Sequence, residues 1–175
     1  VGNWMVAYGI RAGEIFDIFR ATMDPDRVVA VIAGQAADAS VATNALAGSS
    51  YYGTQKADVL AIAPYFYYES DDLYAEYDSG TPDIDGIFDA LEIAATTTAA
   101  ATVTANLAVA NTNKMPLVCY EDGQHLGYSN EPYADDAGFL EFFEDLQRHE
   151  RMGECLALHL AAVHAAGATT LVHFT

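Results

Sequence analysis

Val28-Val29-Ala30-Val31-Ile32-Ala33-Gly34 is the stretch that decides the fold class. It is a run of β-branched and small apolar residues without the apolar–polar alternation of a half-exposed strand, so it predicts a strand covered on both faces, ended by Gly34. Upstream, between Val6 and Met23, Tyr8, Ala12, Ile15, Phe19 and Met23 recur at three- and four-residue spacing. That spacing predicts an amphipathic helix with these residues inward. Asp24-Pro25-Asp26 stops it, because proline cannot continue the backbone ladder. Downstream, a small-residue helix is expected over roughly 36–47, with Gly48 as its C-cap.

The same alternation continues to the end of the chain. Val59-Leu60-Ala61-Ile62-Ala63 reads as a second strand closed by Pro64, followed by a long acidic and aromatic loop from Tyr65 to Pro82. A helical segment is expected from about Asp83 to Ala110, buried through Ile84, Ile87, Phe88 and Leu91, with a break expected in the threonine-rich part from Thr96 to Thr104. Pro116 to Tyr120 is the third strand, Glu121-Asp122-Gly123 follows it, and a second long loop runs to about Asp136. Phe139, Phe142, Phe143 and Leu146 mark one short helix; Leu156, Leu160 and Val163 mark another, capped by Gly167; Thr169 to Phe174 is the last strand. Strand and helix in turn, with buried strands, mean parallel β/α units. Four such units make half of a (β/α)8 barrel, strands five to eight of a domain that usually needs ~250 residues. A doubly wound, flavodoxin-like domain is the alternative at this length, although no Gly-x-Gly-x-x-Gly turn and no Walker lysine motif follows any strand.

Composition narrows the partners. The 175 residues carry 25 acidic side chains against 7 basic ones, of which only Lys56 and Lys114 are lysines. Nucleic acids and anionic membranes would be repelled, and an acid-rich, lysine-poor surface suits a halophilic or marine setting where salt screens self-repulsion. No apolar run approaches the ~18–20 residues needed to cross a bilayer. The chain begins at Val1 rather than at a methionine, so either processing or truncation is expected to have removed what came before, a lost signal peptide being one form of it. Cys119 and Cys155 lie far apart in apolar surroundings and read as buried thiols.

In parallel α/β folds ligands gather at the carboxyl ends of the strands. Those ends supply Gln35, Tyr65 with Phe66, Glu121 with Gln124 and His125, and His173 with Phe174. Aromatics, amides, histidines and a carboxylate together have the makeup of a sugar site, rings stacking on pyranose faces while amides and acids bind hydroxyls. His125 and His173 read as hydrogen-bonding or packing residues rather than metal ligands, because no close ligand set accompanies them. His149, His159 and His164 fall on helices as surface or packing residues. The stretch from Tyr67 to Asp72 could offer oxygen ligands to calcium but lacks the spaced aspartates and glycine of an EF-hand; its rings either pack on one another as a lid or stack on substrate. No cofactor and no metal are called for.

The stretch Pro116-Leu117-Val118-Cys119-Tyr120-Glu121-Asp122-Gly123-Gln124-His125 resembles the seventh strand and following loop of cellulase-like, retaining (β/α)8 glycoside hydrolases. More narrowly it is similar to a poorly characterised group of bacterial and phage proteins labelled cellulose-binding, with a tyrosine-glutamate-glycine-glycine-glutamine-histidine pattern. Asp122 stands here in place of the first glycine. Ala61 to Phe66 resembles that group's sixth strand, and Arg11 to Phe19 the helix leading into its fifth. The resemblance implies Glu121 as nucleophile, oriented by Tyr65 with Tyr68 as the alternate, and Gln35, Phe66, Tyr68, Gln124, His125, His173 and Phe174 as substrate contacts. It places the acid/base carboxylate before Val1, so that the half barrel needs its N-terminal half, another copy or a partner chain. It also implies a carbohydrate partner and an extracellular, cell-surface or virion-associated setting, with a non-catalytic carbohydrate-binding barrel as the alternative function.

Overall fold

A computed structural model describes residues 3–127 and 133–174; the middle of the loop after the third strand, residues 128–132, lies outside the described residues. Four parallel strands, β1 (Val31–Ala33), β2 (Val59–Ile62), β3 (Leu117–Asp122) and β4 (Leu171–His173), form one sheet in the order β1-β2-β3-β4. The order follows the chain without reversal, so the sheet has no topological switch point of the doubly wound kind. The helices are α1 (Trp4–Thr22), α2 (Ala39–Ser49), α3 (Ser70–Asp78), α4 (Ile84–Ile93), α5 (Ala99–Thr112), α6 (Ala137–Arg148) and α7 (Glu150–Ala165).

One face of the sheet carries the core. Ile32, Leu60, Ile62, Leu117 and Cys119 point the same way and pack on α1, α2, α5 and α7 through Met5, Ala42, Leu46, Val103 and Val163. The other face, bearing Val31, Val118, Tyr120 and Val172, receives no helix from this cluster, and Val31, Tyr120 and Val172 are 45%, 48% and 52% exposed. The expectation that the run 28–33 is covered on both faces is therefore corrected. It pairs with β2 only over Val31–Ala33, and Val29 stands 65% exposed, because β1 is a sheet edge with one bare face.

The face chosen by α1 also differs from its spacing. Its buried residues are Met5, Gly9, Ala12 and Gly13, while Tyr8, Ile15, Phe19 and Met23 are exposed. Glycine at positions 9 and 48 lets the backbones of α1 and α2 touch: a Cβ on Gly9 would lie 1.9 Å from the Ala45 carbonyl oxygen, and one on Gly48 2.1 Å from that of Val6. Close contact of two backbones outcompetes burial of the larger rings on this helix. Gly48 is thus a crossing point inside α2 rather than its C-cap, which is Ser50. Arg20 adds a hydrogen bond to the Lys56 carbonyl and an ion pair with Asp58, tying α1 to the start of β2.

From Ile84 to Thr112 the helix is continuous, so the break expected between Thr96 and Thr104 is corrected; a π-helical turn at Ala94–Thr98 overlaps the start of that stretch. By length and composition this merged helix is apolar enough to cross a membrane, which corrects the expectation that no segment is. Here its inner face, from Ile87 through Val103 to Ala110, supplies both halves of the core. The stretch after β2 is not one long loop: α3 occupies it, and its Tyr74 and Tyr77 pack on Tyr133, Phe139 and Phe142 while their hydroxyls donate to Asp136. These rings pack on one another.

On α7 the buried side is Cys155, His159 and Val163, with Leu160 exposed. Arg151 holds α7 to α4 by pairing with Asp85, Asp89 and Glu92 and lying over the Phe88 ring. Gly153 has nothing within 4 Å of where a Cβ would sit, so Gly153→Ala should raise stability by roughly 0.5–1 kcal/mol through helix propensity alone. Urea unfolding of the two proteins checks it.

Candidate site at the carboxyl ends of the strands

Backbone pairing continues past the strand ends and sets the site. The Phe66 amide donates to the Gly123 carbonyl at 3.0 Å and the His125 amide to the Phe66 carbonyl at 2.8 Å, so the segments after β2 and β3 run side by side. Gly123, at φ +136°, makes this possible; a side chain there would also meet the Phe174 carbonyl and the His173 ring. The pairing lays Tyr65 beside Glu121. Burial, followed by the neighbouring Glu121 carboxylate, pushes the Tyr65 pKa up to about 12. Tyr65 therefore stays a protonated donor throughout the neutral range. The His125 ring packs on it at 5.2 Å between centroids.

Tyr65, Glu121, Gln124, His125, Leu126 and Phe174 line a cleft of about 410 Å³. A second hollow of about 270 Å³ shares Tyr65 and His125 and extends over the ends of β1 and β2 to Gln35, Tyr67, Thr98 and Thr102. Phe174 is 58% exposed, which leaves its ring free to stack. Gln124 uses its side-chain oxygen to accept from the Leu126 amide, shaping the loop.

Of the residues singled out from the sequence, Glu121, Tyr65, Gln124, His125 and Phe174 come together in one cleft, and Gln35 joins the adjoining hollow. Phe66, Tyr68 and His173 do not line either. Phe66 is 1% exposed, buried in the helix-side core against the His159 ring at 5.0 Å. Tyr68 packs half-buried against that core, where burial followed by Glu76, Asp72 and Asp83 raises its pKa, so it is not a neighbour of Glu121. His173 turns to Asp122, its Nδ1 at 3.4 Å from Oδ1.

Asp122 and His159 are the residues sequence reasoning missed. Between Cys119 and Asp122 the register with β4 shifts, three steps on β3 matching two on β4, which is the signature of a β-bulge. The extra residue re-aims the side chains at the end of β3: Glu121 reaches the cleft, and Asp122 turns into the helix layer, where it is fully buried. His159, also fully buried, hydrogen-bonds the Ala95 carbonyl of the π turn through Nδ1 at 3.2 Å and places Nε2 3.8 Å from Asp122. Neither role has a local signal, since the bulge exists only in the pairing with β4. Burial pushes the His159 pKa down, against smaller opposing pulls from Ala95 and Asp122. A depressed histidine pKa gives stability that is fully present above about 6.5 and is lost as pH falls toward the folded value, because the unfolded chain takes up the proton first. Melting followed from pH 7 to 5 should show this loss, and a His159→Leu variant should shed up to ~1.4 kcal/mol per pH unit of its slope.

Among the described residues no three His, Cys, Asp or Glu side chains are grouped so as to hold a metal ion. Cys119 and Cys155 are buried free thiols, and burial pushes the Cys119 thiol up to about 12. No family model matches the chain, and neither the curated proteins nor the solved structures contain a significant match to it.

Proposed function

We propose that the chain is the C-terminal half of a (β/α)8 barrel that acts on a polysaccharide or oligosaccharide as a retaining glycoside hydrolase, with Glu121 as nucleophile and Tyr65 orienting it. The observation that carries this reading is the Glu121 carboxylate at the carboxyl end of a parallel strand, sharing a cleft with Tyr65, His125 and the exposed Phe174 ring. In such a step a Glu121 oxygen bonds the anomeric carbon while the bond from that carbon to the leaving oxygen breaks, its electron pair departing with the aglycone. Water then attacks the same carbon and releases the carboxylate.

The leaving oxygen of a natural sugar needs a proton, which retaining enzymes take from a second carboxylate ~5–5.5 Å away. Glu121 is the one carboxylate lining the cleft among the described residues, and its neighbour Asp122 is buried on the far side of the sheet. That single carboxylate favours, as a second reading, a carbohydrate-binding barrel without turnover. The acid excess fits either protein in a salty medium outside the cell or on a virion.

The test isolates the nucleophile. A panel of 2,4-dinitrophenyl 2-deoxy-2-fluoroglycosides needs no general acid, because dinitrophenolate leaves unaided. Mass spectrometry should find one glycosyl group on the peptide containing Glu121. Sugar binding without the adduct would select the binding barrel; neither binding nor adduct would sink both readings.

A further inference from the structure

We infer that two copies of this chain close an eight-stranded barrel about a two-fold axis, β4 of each copy pairing with β1 of the other, so that both Glu121 carboxylates face one mouth. The inference rests on the half-barrel part of the proposed function, with a second copy standing where the N-terminal half would. It does not rest on the hydrolase part.

The β1 edge is built to receive a strand. α1 leads into β1 and overhangs its open side with Phe19 and Met23, which with Arg27 and Val28–Val31 line a groove of about 440 Å³. A second groove, about 500 Å³, runs along the same edge from Trp4 and Tyr8 to Gln35. In a right-handed β–α–β unit the strand beside β1 lies beneath the helix that precedes β1, and the exposed apolar side of α1 is the outer cover such a strand needs. Neither groove is lined by a carboxylate, in a chain with 25 of them. Acid is kept off this strip.

The chain's own β4 is the complementary edge. It is parallel to its neighbour, unpaired on its outer side among the described residues, and exposes Val172 and Phe174. The sheet face without a helix alternates the exposed Val31 with Ala33 on β1, the half-buried Val59 with the buried Ala61 on β2, and Val118 with the exposed Tyr120 on β3, small and branched apolar residues of the kind that fill an eight-stranded barrel. At 150–250 Å² for a whole aromatic side chain, the half-exposed apolar residues of these edges and this face amount to roughly 1,000 Å² per copy, against the ~800 Å² per partner of a stable interface. All strands are parallel, so a two-fold relating the halves runs along the barrel axis and both sets of carboxyl ends meet at one mouth. The second copy thereby adds its Glu121 to a cleft that holds one carboxylate.

Each copy bears a net charge of −18, so association should need salt. Sedimentation equilibrium in about 1 M salt, where the screening length is ~3 Å, should give about 37 kDa, twice 18.7 kDa, with dissociation as salt is lowered. A mass of one copy, or a higher assembly, overturns the inference. Val31→Lys, at a site half-exposed in the single copy, should give a monomer with unchanged helical circular dichroism; a dimer would overturn the β1–β4 seam. A flexible bismaleimide should join two Glu121→Cys chains covalently, since the native cysteines are buried, and no cross-linking would overturn the shared mouth. A Glu121 adduct on a monomer sinks the closure and spares the hydrolase; a dimer without adduct does the reverse.

Discussion

Glu121→Gln should abolish labelling by the dinitrophenyl fluoroglycosides, lowering the rate by roughly 10⁴-fold or more, as loss of a nucleophile does in other covalent mechanisms. The amide is nearly isosteric and keeps an acceptor for the Tyr65 phenol, so folding and sugar binding should survive, and the loss would fall on bond formation. Tyr65→Phe should act through Glu121: losing a hydrogen bond to a charged group costs about 1.5–3 kcal/mol, or ~10–100-fold in the labelling rate. Its distinguishing mark is a split: labelling should slow while sugar binding is kept, and an equal loss of both would reduce Tyr65 to packing.

The largest effect on stability should come from the crossing of α1 and α2. Gly9→Val and Gly48→Val each drive a side chain into opposing backbone, 1.9 Å from the Ala45 oxygen and 2.1 Å from the Val6 oxygen. Backbone cannot rotate away as a flexible side chain can, so the helices must part. Overpacking of this kind costs ~1–3 kcal/mol and occasionally more, and both sites belong at the upper end. Parting the helices would also disturb Met5 and Leu46 in the core cluster shared with the sheet. Chemical unfolding should show each variant losing about 3 kcal/mol or more, with Gly153→Ala moving the other way. Wild-type stability in either valine variant would mean that the two helices do not cross as closely as described.

Much of the architecture was legible because its signals are local. Apolar runs, ended by Gly34 and Pro64 for β1 and β2 and opened by Pro116 for β3, located these strands, and helical spacing located α4 and α6, since Ile87, Phe88, Leu91, Phe139, Phe143 and Leu146 are buried as their spacing predicts. Gly167, at φ +107°, follows α7 as a cap should. The cleft residues Glu121, Tyr65, Gln124, His125 and Phe174 were legible for one reason: strand ends in a parallel sheet share one edge, so position along the chain already fixes their company.

The sequence by itself determined the succession of parallel β/α units, the strand ends that line the cleft, and the excess of acidic over basic side chains. Only the tertiary structure decided which side of α1 is buried, that β1 is an edge with a bare face, that Phe66 lies beneath the sheet ends, and that Asp122 turns inward to His159 and His173. The physical reason is range. Strand and helix follow from neighbours a few residues apart, whereas burial, a bulge between β3 and β4, and contact between Gly9 and Gly48 are properties of segments that meet only after folding, where the closest packing overrides the apolar stripe that each segment carries alone.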